Sequence, residues 1–214
     1  MNEKVQKEWD LFISNYPQLS GCADDVLAAY ELMKNTVLKG GLVLTCGNGG
    51  SAADAEHIVS ELMKGFKRSR QVTAEQREML VTAYRGEGVY FADHLQRAIP
   101  AISLASQTSL TTAFTNDSAP DMVFAQQVFG YGCPGDVLFA ITTSGNSKNV
   151  VNACKVAKVF GIATIGLTGQ DGGALKEVCD IAIRVPADET FRVQEYHRPV
   201  YHALCAMIEA EVFE

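Results

Sequence analysis

The stretch from Gly41 to Lys64, GLVLTCGNGGSAADAEHIVSELMK, constrains this chain more than any other. Leu42, Val43 and Leu44 form a short apolar run that reads as a buried strand. The run breaks at Gly47-Asn48-Gly49-Gly50, where the backbone is free to take positive φ and to approach a ligand closely. Ser51 is then placed to cap a helix, whose apolar stripe is Ala52, Ala55, Ile58, Val59 and Leu62. Strand, glycine turn and helix together aim free N–H groups and a positive helix end at an anion. His57 and Glu61, four apart, share one face of that helix, about one turn beyond the glycine turn. A phosphate cradle and an acid–base or metal pair are therefore expected in one cleft.

At 214 residues the chain can bury one sizeable core and is short for two. Its 47% hydrophobic and 20% charged content excludes a disordered chain. A formal charge of -7 argues against nucleic acid as a partner and against a polybasic membrane surface. No apolar run approaches the roughly 20 residues of a spanning helix. The N-terminal MNEKVQKEWDLF lacks an apolar signal core, so a cytoplasmic protein is expected. Six scattered cysteines, Cys22, Cys46, Cys133, Cys154, Cys179 and Cys205, form no CxxC pair and read as small buried residues.

Residues 1–39 read as an N-terminal helical arm broken around Pro17 and Gly21, with no chemistry in it. Further strands are expected at Ala101–Ala105, Asp136–Ile141, Ala163–Leu167 and Asp180–Val185, with a closing helix from Thr190 to Val212. Five short apolar strands separated by helices predict an α/β fold: a three-layer sandwich around a five-stranded parallel sheet, in one domain spanning 1–214. In such sheets ligands bind beyond the carboxyl ends of the strands, where both hydroxyl- and glycine-rich loops fall. Residues 65–99 are long for a crossover and hold most of seven Lys/Arg against four Asp/Glu between Lys64 and Arg97. This insertion reads as a solvated helical excursion or as a partly basic lid, with Arg68, Arg70 or Arg85 reaching inward.

Thr142, Thr143, Ser144 and Ser147 bring four hydroxyls within six positions, and Gly145 lets the chain turn between them. Between a strand and a helix, that set suits a phosphate monoester, although Ser144 and Ser147 could also simply cap the helix. No GxxxxGK[ST] occurs, and GNGGS is a poor dinucleotide fingerprint. His57 and Glu61 could hold a divalent metal, or Glu61 could be a general base. His197 and His202 lie on different faces of the closing helix. Gln194 and His202 are eight apart, about 12 Å along an unbroken helix, which is awkward for one metal. They could share a site if Gln194 precedes the regular helix or if the two come from different subunits. Pro199 is expected to disturb this helix. His94, alone in the insertion, has no evident chemistry.

The motifs GNGGSAADAEHIVSEL, Asn116-Asp117, TTSGNSKNV and VQEYHRPVYH, in that order, resemble the SIS (sugar isomerase) domain family, and within it the phosphoheptose (sedoheptulose 7-phosphate) isomerases. The resemblance covers nearly the whole chain. It implies that Asn48, Gly49, Gly50, Ser51, Asn116, Asp117, Thr142, Thr143, Ser144 and Ser147 bind the sugar phosphate. It further implies a zinc-associated active site at His57, Glu61, Gln194 and His202, with Gln194 also touching substrate and Glu61 and His202 as the acid–base pair. Homotetramers with active sites at subunit boundaries are implied too. A near relative that binds a replication initiator lacks the carboxylate and the second histidine, both present here. The insertion at 65–99 departs from the family's shorter members, and Thr142 stands where serine is common.

The expectation is an aldose–ketose isomerase converting sedoheptulose 7-phosphate to a heptose 7-phosphate through an enediol. The alternatives are a non-catalytic SIS scaffold that binds a protein partner or senses a sugar phosphate, and an isomerase of another sugar phosphate.

Overall fold

The computed structural model describes residues 1–213. Helix α1 (Glu3–Asn15), a 3-10 segment (Pro17–Cys22) and α2 (Ala23–Leu38) form the N-terminal arm, with the break where Pro17 and Gly21 predict it. Strand β1 (Val43–Cys46) leads into α3 (Gly50–Met63). After α4 (Ala74–Tyr84) and α5 (Gly86–His94) come β2 (Ala101–Ser103), α6 (Thr108–Asp117), α7 (Val123–Tyr131), β3 (Val137–Ile141), α8 (Lys148–Val159), β4 (Ala163–Thr168), α9 (Leu175–Val178), β5 (Ile181–Arg184) and α10 (Thr190–Val212). The second strand ends two residues earlier than its apolar run suggests, because Leu104–Ser106 coil into a 3-10 turn after Ser103.

All pairings in the sheet are parallel, in the order β2-β1-β3-β4-β5. Alternate residues divide between two cores, as the two-residue period of a strand requires. Val137, Phe139 and Ile141 face the layer of α1, α2, α3 and α10, whereas Leu138 and Ala140 face α7 and α8. The chain leaves β1 and β3 in opposite lateral directions, so the gap between them is the switch point where such sheets bind ligands. The turns following these two strands are the glycine turn and the Ser/Thr loop.

Helix α10 is continuous through Pro199, contrary to the expected disturbance. Pro199, Val200, Tyr201 and Ala203 to Ala210 are buried, and packing on both flanks offsets the one missing helical bond. Residue pairs in contact rise together along α3 and α10, from Gly50 with Gln194 to His57 with His202, so the two helices run side by side in the same direction.

Beyond α3, Arg70 and Glu209 form an ion pair with both side chains wholly out of solvent. Arg70 Nε donates to Glu209 Oε1 at 2.8 Å, and its two Nη groups donate to the carbonyls of Leu62 and Glu61 at 2.5 and 2.9 Å. Glu209 also accepts from the backbone N–H of Phe66 and Lys67, each at 2.8 Å. The role expected of Arg70 as an inward-reaching lid residue is thus corrected: it is a cross-brace at the foot of α3. Arg68 turns instead to Glu8, and Arg85 is exposed at the α4–α5 junction with φ 49. The ends of the 65–99 excursion are zipped by Arg97 N–H to the Arg70 carbonyl (2.7 Å) and Ile99 N–H to the Leu62 carbonyl (3.0 Å). Between them α4 and α5 pack as a hairpin on each other, with Met79, Tyr84 and Tyr90 exposed.

Burying an ion pair is costly, and removing one partner leaves the other charge uncompensated. Arg70→Met is therefore expected to lower the unfolding free energy by about 3–5 kcal/mol in urea denaturation. A loss below about 1 kcal/mol would show that the pair is not the brace described.

Candidate active site

At the sheet's carboxyl end the glycine turn and the Ser/Thr loop are tied together. Asn48 and Asn149 exchange two amide hydrogen bonds, each 2.9 Å. Gly49 takes φ 56 and the N-cap position, so α3 starts at Gly50 and not after Ser51. Ser51 is buried in the first turn, its N–H bonded to the Asn48 carbonyl at 3.0 Å, and is no cap; the glycine lets the chain turn two residues sooner. Gly50 has a separate constraint: a Cβ there would lie 2.5 Å from Gln194 Nε2.

In the second loop the Thr142 and Ser147 hydroxyls bond to each other at 2.9 Å. Ser147 stands at the N-cap of α8 without a side-chain capping bond, so its oxygen stays available to a ligand. Ser144 is exposed, and its hydroxyl accepts from Asn146 N–H at 3.2 Å, leaving its own hydrogen free to donate. Thr143 is half-buried; its carbonyl accepts from Gly169 N–H at 3.0 Å. Hydroxyls, a glycine turn and the start of α8 thus converge as a phosphate cradle should. Asn116 and Asp117 end α6, both exposed and bonded to each other at 2.7 Å. No hydrogen bond joins either to the cradle among the described residues.

The second cluster lies further down α3. His57 Nε2 is 3.1 Å from Glu61 Oε1, and the His57 and His202 rings meet edge to face with centroids 5.0 Å apart. Glu61 Oε2 and His202 Nε2 are both buried and have no hydrogen-bond partner; Lys64 Nζ approaches Glu61 Oε2 only to 3.7 Å. Burial, and then the neighbouring His57, pulls the His202 pKa below its usual value, which keeps the ring neutral and able to pass a proton. His202 also lines a 320 Å³ groove between α1 and α10, with Phe12, Tyr16, Phe66 and Pro199. His197 points the other way, wholly buried. Neither of its nitrogens has a full partner. Burial draws its pKa down to about 4, and the Thr168 backbone offsets only part of that cost.

The two clusters do not share one cleft within one chain, which corrects the spacing expected from sequence. Glu61 is eleven residues beyond Gly50, about 16 Å along the helix. Glutamate leans back towards the helix start, but a phosphate sits beyond that start, so the gap stays open. The seven bonds from phosphorus to C2 of a heptulose 7-phosphate span roughly 9 Å when extended, taking single bonds of about 1.5 Å at tetrahedral angles. Gln194 belongs to the upper cluster, in a 440 Å³ cleft with Gly50, Ala53, Asp54, Phe191 and Arg198. Being inside regular helix, it is about 12 Å from His202. His57, Glu61 and His202 offer the donor types that zinc takes, with two orphaned atoms among them. Gln194 of the same chain does not complete the set. Among the described residues no three His, Cys, Asp or Glu side chains are already gathered to hold an ion.

Sequence reading missed Tyr201 and Asp54. The Tyr201 hydroxyl is 3.0 Å from His57 Nδ1 and donates to Asp54 Oδ1 at 3.1 Å. Asp54, His57 and Glu61 are spaced i, i+3, i+7, one stripe of α3, and extending the His57–Glu61 pair by one turn would have found the aspartate. His94 is exposed, bonded to the Tyr90 carbonyl at 2.7 Å. The cysteines are all free; five are buried as expected, and Cys133 is exposed.

Comparison with known proteins places this architecture. A SIS domain model matches residues 103–209, and a second SIS domain model matches residues 19–87. The chain belongs to the SIS domain family. Phosphoheptose isomerase from Rhodospirillum rubrum is 39% identical over 192 residues, covering 90% of this chain and 88% of its own. That from Akkermansia muciniphila is 34% identical over 213 residues, covering 100% of this chain, the 65–99 excursion included, and 99% of its own. The solved phosphoheptose isomerase of Neisseria gonorrhoeae superimposes with a TM-score of 0.72 at 33% identity, over 97% of each chain. Within the SIS family, then, this chain groups with the phosphoheptose isomerases.

A histidine buried neutral binds its proton more weakly than in the unfolded chain, so the unfolded state gains as protons are added. The contribution of His197 is present above its unfolded pKa near 6.5 and is lost as pH falls towards about 4, roughly 3 kcal/mol in all. His197→Phe is expected to flatten the fall in unfolding free energy between pH 7 and pH 4. An unchanged pH profile would show that His197 is not the acid-sensitive group.

Proposed function

We propose that this protein is an aldose–ketose isomerase acting on a sugar phosphate of the heptose class, sedoheptulose 7-phosphate being the substrate its relatives' name points to. The observation carrying this reading is that Glu61 Oε2 and His202 Nε2 are both buried and unpartnered and both side chains adjoin His57, Glu61 through its other oxygen at 3.1 Å and His202 ring to ring. A partnerless buried carboxylate oxygen and imidazole nitrogen are costly to the fold and suit groups that take a substrate's protons.

Glu61 removes the proton from the carbon beside the carbonyl, giving an enediol, and returns it to the neighbouring carbon. His202, neutral, relays a proton between the two oxygens, so the reaction is a net isomerisation without loss of atoms. The phosphate is held by Ser144, Ser147 and the N–H groups at the starts of α3 and α8. Because the start of α3 lies about 16 Å along the helix from Glu61, the phosphate loop and the acid–base pair that meet one sugar come from two copies in a homo-oligomer, a tetramer by family habit. Zinc held by His57, Glu61 and His202 would polarise the sugar oxygens. Gln194 would join that set only from a neighbouring copy.

Glu61→Gln and His202→Ala should each lower kcat by about 10² to 10⁴-fold with KM little changed, measured by NMR on sedoheptulose 7-phosphate with zinc supplied. Retained turnover refutes the roles, and no product from wild type with any of several ketose phosphates favours the non-catalytic scaffold. Mixing Glu61→Gln with a Ser144→Ala/Ser147→Ala variant, each inactive alone, should restore activity on co-refolding. No recovery would contradict a site built from two copies.

A further inference from the structure

Asn48, in the glycine turn, and Asn149, in the first turn of α8, lie 101 positions apart and bond reciprocally. Asn48 Nδ2 donates to Asn149 Oδ1 and Asn149 Nδ2 donates to Asn48 Oδ1, each at 2.9 Å. The two amide orientations are therefore linked. Turning one amide alone would set oxygen against oxygen and N–H against N–H. Turning both keeps the pair but exchanges donor and acceptor in each residue. The backbone of α8 decides between these arrangements: Val150 N–H meets Asn149 Oδ1 at 3.0 Å, as well as the Ser147 carbonyl at 3.1 Å. In the exchanged arrangement it would face an NH2 group. Val150 thus sets Asn149, and Asn149 sets Asn48.

Each amide commits one of its two N–H hydrogens to the pair. The other points away from the pair, because the amide is planar, and among the described residues nothing accepts it. Asn48 is exposed, and its main chain is held by the Ser51 N–H on its carbonyl at 3.0 Å. One edge of this side chain therefore carries a free donor in a fixed place, where a turned amide would carry a carbonyl lone pair. We infer that Asn149 is a positioning residue for the phosphate: through Asn48 it holds a free N–H ready for the anion and keeps the Asn48 oxygen turned into the pair. A charged phosphate oxygen accepts hydrogen bonds and repels a carbonyl oxygen, so an unanchored amide would have to be ordered as the ligand binds. The reciprocal pair orders it beforehand, which favours binding. Neither amide bonds to Glu61 or His202, so the effect falls on affinity and not on proton transfer.

This role rests on the phosphate cradle of the isomerase reading above, so inorganic phosphate is the first probe and the sugar phosphate the second. The variants, made in the full chain, are Asn149→Ala, Asn48→Ala and the two together. Asn149→Ser, which keeps the helix start polar but cannot form the reciprocal pair, should behave as Asn149→Ala. Nitrogen-15 NMR without ligand, with the Asn48 side-chain signals assigned by their loss in Asn48→Ala, should show one slowly and one rapidly exchanging hydrogen in wild type. In Asn149→Ala both should exchange rapidly. The Kd for inorganic phosphate, from a phosphorus-31 NMR titration, should rise about tenfold in either single variant, the scale of one hydrogen bond to a charged group, and no further in the double variant. KM for sedoheptulose 7-phosphate should rise by the same factor, with kcat within about twofold. Losses that multiply in the double variant, or two equivalent Asn48 hydrogens in wild type, would overturn the relay through Asn48. Unchanged phosphate binding in Asn149→Ala would overturn the positioning role. If wild type binds phosphate with this pattern yet turns over no ketose phosphate, the isomerase reading fails and the positioning role stands. If wild type binds no phosphate, the positioning role falls with the cradle.

Discussion

The packing of α3 along α10 is the constraint on which the site depends. Two helices running in the same direction keep a fixed register, because each advances about 1.5 Å per residue. That register sets Gly50 against Gln194, Asp54 and His57 against Tyr201, and His57 against His202. The buried Arg70–Glu209 pair fixes its far end, and two backbone N–H bonds to the same carboxylate stop the chain after α3 from drifting. A charge pair in such a place stabilises less than its short distances suggest, since both ions lose their water. Its contribution is geometric: few other arrangements satisfy Glu209 and both Arg70-bound carbonyls at once.

From the same ruler follows the division of the site. The proposed phosphate cradle belongs to the switch point between β1 and β3, where parallel sheets leave free N–H groups and where Asn48 and Asn149 lock two loops together. The His57–Glu61–His202 cluster belongs to the middle of the α3–α10 seam, among groups short of hydrogen-bond partners. Neither end can move towards the other without breaking a helix. Under the proposed function, assembly of copies is what unites them.

Much of this was legible in the sequence because it depends on local chemistry. Short apolar runs gave the strands to within a residue or two. The helical period gave α10 from Thr190 to Val212, and Gly49 marked the turn that only positive φ permits. What escaped was long-range. Arg70 looked like a lid cation because its partner Glu209 is 139 positions away. Pro199 was expected to disturb α10 because propensity ignores the packing that overrides it. Ser51 looked like a cap because a serine after glycines usually is one; here Gly49 turned the chain first. Tyr201 was not singled out: its ring lies in the core, while its hydroxyl joins the site. The separation of the two clusters was in the numbering all along, since eleven helical residues have a length, but motif spacing was read as proximity.

A structure determined with sedoheptulose 7-phosphate bound tests the central claim most directly. The phosphate should lie on Ser144, Ser147 and the start of α3 of one copy, with C1 and C2 against Glu61 and His202 of another. A sugar held entirely by one copy, or bound with its carbonyl end away from Glu61, would contradict it.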